Sequence, residues 1–322
     1  MKTPLNNGIS CIKQNKYKIE KHQFLKRLVK ERDYWILSIP GILFFIVFRY
    51  VPILGNIIAF KNYNIYLGFV KSPWVGLKYF KEFLFNPDFY NVMRNTLLLG
   101  VYEIIFTFPI PILFALFLSE IRNTQYRKLI QTVSYMPHFL SVVVVCSMLT
   151  MFLSPTNGMI NVMLKNTFGI EPVYFLGRSE WFRTIYVSSS VWQNFGFNSI
   201  IYIAALAGVD TALYEAAEID GCGRIKKMWH ISIPSILPTM VVLFVLKIGG
   251  IMSIGFEKVL LLYSPMTYDV ADIISTFVYR AGLVDTRFSY ATAVGFFNSV
   301  ISSLFVVSAN YFSRKFAESS LW

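Results

Sequence analysis

Six long apolar runs divide the chain, at about 35–57, 96–119, 129–153, 184–208, 233–256 and 289–311, and the connectors between them carry most of the charged residues. At about 1.5 Å per residue, each run is long enough as a helix to cross roughly 30 Å of hydrocarbon. The pattern therefore predicts an all-α, polytopic membrane protein with six transmembrane helices and both termini on one side. Pro40, Pro52, Pro109, Pro111 and Pro137 fall inside the runs. They would break helices in water, but in a bundle they read as kinks whose freed carbonyls are satisfied by neighbouring helices or cavities.

Composition agrees. Of 322 residues, 55% are hydrophobic and 15% charged, against about 25% charged in a typical soluble domain, which excludes disorder and argues against a cytosolic globule. The net charge of +12 would suggest a nucleic-acid partner in a soluble protein, so its distribution matters. Segments 1–33, 120–128, 210–230 and 312–322 hold 17 of the 30 basic residues, and the longer opposite connectors 61–94, 154–183 and 257–288 hold 11. That bias places both termini in the cytoplasm and accounts for the charge without nucleic acid.

Residues 1–33 form a basic cytoplasmic tail with no apolar stretch of the signal-peptide kind. Within it, Ile19, Leu25, Leu28 and Val29 line one side of a candidate helix beside Lys26, Arg27, Lys30 and Arg32, suited to lying on membrane lipid, although a solvated tail fits as well. Residues 34–322 make up the membrane domain. Cys11, Cys146 and Cys222 give no disulfide framework, and His22, His138 and His230 lack metal-ligand spacing, so no metal site is expected.

Arg49, Glu103 and Lys247 are the charges inside the runs. Counted along the helices, they sit about 12, 10 and 14 Å from the outer boundary, in one layer. Intramembrane charges require partners, and the adjacency of the first two spans favours an Arg49–Glu103 ion pair. Lys247 is then left to snorkel, to pair with Glu103 or a partner subunit, or to meet cargo.

The connector at about 211–234 carries the most information. Glu215, Ala216, Ala217 and Glu218 favour helix, Gly221 and Gly223 permit a sharp turn, and a second amphipathic piece leads to Pro234 and Pro238. Small Ala216 and Ala217 admit close approach of another backbone, while Glu215 and Asp220 can cap helix ends or meet basic residues. Taken alone, this helix–turn–helix is a docking knob or a well-made connector.

Its spacing resembles the EAA-x3-G-x9-I-x-[LI]-P signature of membrane subunits of binding-protein-dependent ABC importers, filled here by Glu215, Ala216, Ala217, Gly221, Ile231, Ile233 and Pro234. The segments Trp74–Phe80, Asn95–Leu97 and Val191–Asn198 are similar to the carbohydrate-uptake branch. Gly255–Tyr263 and the ending Ser320–Trp322 are similar to its subgroup for complex oligosaccharides from plant or algal polysaccharides, such as alginate or pectin.

The resemblance implies a type I ABC importer permease fold in a bacterial cytoplasmic (inner) membrane and a heterodimer with a second related permease. It further implies two cytoplasmic ABC ATPases engaging Glu215, Ala216, Ala217, Asp220 and Gly221, and an extracytoplasmic solute-binding protein. ATP and Mg would be bound by the partner ATPase. The sequence has no G-x-x-x-x-G-K-[ST] phosphate loop, so a transport subunit rather than an enzyme is expected. By the same resemblance Ser190, Trp192, Gln193, Asn194, Lys247 and Ile251 line the substrate path. Amides, a hydroxyl and an indole suit sugars, and Lys247 sharpens the expectation to an acidic, uronate-bearing oligosaccharide. An ion-coupled secondary carrier and a non-transporting membrane scaffold are the competing readings; the first lacks the internal repeat symmetry common in such carriers.

Overall fold

The computed structural model describes residues 31–317, so the expected lipid-facing helix around Ile19–Val29 lies outside the described residues. The chain divides into two units, residues 1–57 and 58–322.

In the first unit, helix α1 (Arg32–Phe60) begins, and it runs on into the second. It loosens into a π turn at Ile46–Tyr50, where Pro52 lacks the N–H that would bond to Phe48. Its large apolar side chains, among them Leu37, Phe48 and Leu54, are exposed, as expected of a segment whose solvent is lipid or another protein.

The second unit contains α2 (Phe89–Ser119), a bent pair α3 (Thr124–Phe139) and α4 (Val142–Phe152), a second bent pair α5 (Ser179–Ala207) and α6 (Thr211–Ile219), then α7 (Arg224–Gly249). After these come α8 (Phe256–Leu262), α9 (Ile274–Val284) and α10 (Phe288–Ala317). Among the described residues four helices are long and apolar enough to span a membrane, and six spans result when each bent pair counts once. None of these residues forms a strand; Lys61 and Trp74 make an isolated bridge.

Two expectations are corrected in detail. The run 129–153 is not one helix, because α3 and α4 meet at 95°. Leu140 is extended and Ser141 caps α4 by accepting the Val144 N–H, so the chain restarts its helix just past Pro137. The run 233–256 also ends early: α7 stops at Gly249, and Gly255, at φ +41°, redirects the chain into α8. That position needs glycine twice over, since a Cβ there would stand 1.8 Å from the Tyr186 hydroxyl.

Packing centres on α5. Phe182, Tyr186, Leu99, Met252, Ile273 and Tyr290 share one buried core contributed by α2, α5, α10 and the segments between α7 and α10. Ile112, Leu116, Tyr202, Leu206 and Ile236 form a second core farther along α2 and α5, against α7. The backbone of α3 approaches α5 so closely at Gly196 that a Cβ would lie 2.2 Å from the Ser134 carbonyl oxygen.

Candidate functional site: an exposed knob and a buried charge layer

The knob is built by local rules. Asp210 accepts the Ala212 N–H at 2.9 Å and starts α6, satisfying one of the free amides of a helix N-terminus. At the other end the Cys222 N–H reaches the Ala217 carbonyl and the Gly221 N–H reaches that of Glu218. Together with Gly221 at φ +72°, these bonds form a Schellman stop, which requires the left-handed conformation glycine adopts freely. The Tyr214 hydroxyl lies 2.9 Å from that of Ser232, and Lys227 pairs with Glu218 at 3.7 Å; both tie α6 to α7.

What the knob presents is unusual for a connector. Ile219, Ile225 and Trp229 are 88%, 79% and 68% exposed, Glu215 and Ala216 are exposed and Ala217 is half-buried. Such an apolar cluster at a loop tip marks an interaction surface, for protein or for membrane. All five expected coupling residues are thus together, with Asp220 as the residue that ends α6 and Gly221 as its turn.

The second feature is a charge layer between α2, α5, α7 and α8. Glu103 Oε1 accepts a bond from Lys247 Nζ at 2.8 Å, and the Tyr186 hydroxyl stands 3.5 Å from Oε2. Glu103 therefore pairs with Lys247, one of the partners left open for that lysine. Arg49 makes none of the ion pairs found among the described residues. Equal depth placed three charges in one layer but carried no information on which helix faces which, and α2 turns Glu103 toward α7. Glu103 and Lys247, with Gly100, Gly250, Ile251 and Gly255, line a cavity of about 210 Å³.

The remaining expected path residues are more deeply committed. Ser190 is buried and accepts from Lys258 Nζ at 2.9 Å. Gln193 is buried and donates to the Leu140 carbonyl, pinning the α3–α4 bend to α5. Asn194 donates to the Ser190 carbonyl, and its oxygen accepts from His138, whose ring stacks on Phe197. Ile251 is buried, packed over Gly100. Trp192 is 43% exposed. The structure thus brings Lys247 and Ile251 to one cavity and Ser190 to a second lysine, while Gln193 and Asn194 spend amide capacity on holding α3 and α5 together.

Lys258 falls in the connector 257–288 by sequence, yet the fold buries it in this layer. It is 6% exposed, with its ammonium 5.3 Å from the Tyr186 ring centroid, and among the described residues no carboxylate pairs with it. Burial pushes its pKa down, against the opposing influence of Cys146 and Glu103. A signal existed: Lys258 shares one face of α8 with buried Val259 and Leu262, the apolar side of a short amphipathic helix. The acids of connector 257–288 are partly spent internally, since Asp272 pairs with Arg280 and Asp269 accepts from Ser179.

Comparison with known proteins follows the same lines. Residues 89–318 match the family of binding-protein-dependent transport system inner membrane components. Protein LplB of Bacillus subtilis (strain 168) is 44% identical over 294 residues, covering 91% of this chain and 92% of that protein. The polygalacturonan/rhamnogalacturonan transport system permease protein YteP of the same organism is 41% identical over 305 residues, covering 95% of each. A chain in the crystal structure of a bacterial alginate ABC transporter, in complex with alginate pentasaccharide-bound periplasmic protein, superposes with a TM-score of 0.85. It is 40% identical, and the match covers 92% of this chain and 99% of that one. With its exposed knob, its apolar helices and a match spanning most of its length, the chain belongs to the family of binding-protein-dependent transport system inner membrane components.

Proposed function

We propose that this chain is one half of the translocation path of an ATP-driven importer of acidic oligosaccharides. A second, related permease supplies the other half, and two cytoplasmic ATPases bind ATP and Mg and grip α6. A solute-binding protein delivers cargo from outside, and both termini lie in the cytoplasm. This chain itself hydrolyses no ATP.

The observation that carries the reading is the knob: an exposed apolar tip at the end of α5, the same 29-residue helix that holds Tyr186, Ser190 and Asn194 beside the charge layer. A partner that moves α6 moves the helix that organises the path. An acidic cargo is supported by two lysines and one glutamate in that layer, and by relatives whose names specify polygalacturonan and alginate.

The test is a mild-detergent pull-down of the tagged chain from its bacterial membrane, read by mass spectrometry, with and without Gly221→Pro. Recovery of an ATPase and a second permease is expected, with the ATPase alone lost in the variant, because proline cannot adopt φ +72°. Recovery of the chain by itself, under conditions that preserve other complexes, overturns the reading.

A further inference from the structure

A cavity of about 530 Å³ opens along α4 and the turn after it. Its polar wall consists of Ser147, Thr150, Ser154, Thr156 and Asn157. Ser147 and Thr150, three residues apart, share one face of α4, and Ser154 follows past its end. Ser147 and Asn157 are exposed and make no side-chain hydrogen bond among the described residues. Thr150 donates to the Cys146 carbonyl and Ser154 bonds Thr156, so the wall offers the free groups of Ser147 and Asn157 and the remaining hydroxyl acceptors, neutral chemistry that matches sugar hydroxyls.

Lys258, which has no carboxylate partner among the described residues, sits on the helix that supplies one residue of this wall. Helix α8 packs against α4; its Leu261 belongs to the cavity wall, one turn from Lys258. Cys146 also belongs to the wall and is within the electrostatic reach of Lys258. Glu103 is already matched by Lys247 at 2.8 Å, so the layer carries one positive charge in excess. The one hydrogen-bond partner of Lys258 among the described residues is a neutral hydroxyl, that of Ser190. A buried cation without a counter-ion is costly, and its field passes through protein rather than water, where screening is weak.

We propose that the α4 cavity is a saccharide subsite whose hydroxyl wall holds the sugar and whose buried Lys258 selects a carboxylate-bearing residue. The cargo carboxylate supplies the counter-ion that the chain omits. Lys247, neutralised by Glu103, is then a structural cation, and the selectivity assigned to it from the sequence belongs to Lys258. This inference rests on the importer reading given above and names the part of the path that discriminates.

The experiment uses the complex purified with this chain, reconstituted in proteoliposomes with ATP inside the appropriate compartment and its binding protein outside. The probes are trigalacturonate and its fully methyl-esterified form, which keeps the size and removes the charge. Lys258→Met is expected to lower trigalacturonate uptake about tenfold relative to the ester, the scale of one charge-assisted contact, while Lys258→Arg retains the preference. Thr150→Val lowers uptake of both probes alike.

A second readout does not depend on Lys258 variants assembling. In a background with Cys11, Cys146 and Cys222 replaced by Ser, Thr150→Cys is labelled by a membrane-impermeant thiol reagent, and trigalacturonate slows the labelling more than the ester does. Equal loss of both probes in Lys258→Met, or labelling at Thr150→Cys that neither probe slows, overturns the subsite. Wild-type complex that imports neither probe overturns the acidic-oligosaccharide reading instead, so the two failures are distinct.

Discussion

The knob and the charge layer are both polar features of an apolar protein, yet they are completed in opposite ways. Helix α6 satisfies its backbone within a dozen residues, through Asp210 at one end and Gly221 at the other, and leaves its side chains open. The charge layer satisfies its side chains across the sequence: Lys247 reaches back 144 residues to Glu103, and Lys258 reaches back 68 to Ser190. Locally specified structure can afford an unfinished surface because its shape does not depend on what later covers it. A buried ionic layer has far less freedom, since a charge left without a counter-ion costs several kcal/mol. In this layer, among the described residues, only Lys258 goes without a carboxylate, met by the neutral Ser190 hydroxyl. Replacements in the layer should therefore act on the stability of the whole chain, and replacements in the knob on its contact with a partner.

The largest effect is expected at Glu103. Glu103→Leu strands Lys247 beside a cavity, and breaking such a pair by removing one partner costs about 3–5 kcal/mol when it is fully buried. Lys247 is 34% exposed and Glu103 17%, which puts the expected loss at the low end, about 3 kcal/mol. Thermal unfolding of the purified complex measures it. Adding Lys247→Met should restore most of the stability, because an apolar pair replaces a lone cation; a double variant as unstable as the single would show that the pair is not what holds α2 to α7.

A smaller but still global effect is expected where the layer meets the core. Gly255→Ala places a methyl against the Tyr186 hydroxyl and asks a residue other than glycine to hold φ +41°. Overpacking and strain together predict a loss of roughly 1–3 kcal/mol, with fluorescence or scanning calorimetry as the readout. Tyr186→Phe in the same background should recover part of the loss by removing the clashing oxygen. If Gly255→Ala unfolds like the parent, the close approach of α8 to α5 is not a constraint in the folded protein.

The contrast also explains what the sequence could and could not reveal. The apolar runs specify helices because any 20-residue apolar segment faces the same solvent, and the EAA spacing specifies the knob because every bond that shapes it is local. The bend at Leu140–Ser141 was hidden inside a continuous apolar run, although Pro137 followed by a capping Ser141 marks it in hindsight. The pairing of Glu103 depended on the rotation of α2 about its axis, which depth along the helix does not contain. Lys258 lies outside the apolar runs, in segment 257–288, yet α8 carries the lysine back into the core beside Tyr186 and Ser190.

The smallest effect is expected at Asp210, and it is the sharpest discriminator between the two regions. Asp210→Ala removes the side chain that accepts the Ala212 N–H, a cap whose loss costs about 1 kcal/mol. Because α6 shares few bonds with the rest of the unit, that cost should fall on the knob alone: amide exchange speeds up in the first turn of Thr211–Ile219 while the unfolding temperature of the chain stays within error of the parent. If the proposed ATPase grips α6, its binding should restore protection, because a partner that selects the folded form of α6 offsets the missing cap. Accelerated exchange in α2 or α7 in the same variant would mean that the knob and the layer are one cooperative unit, and that the local construction of α6 does not isolate it from the core.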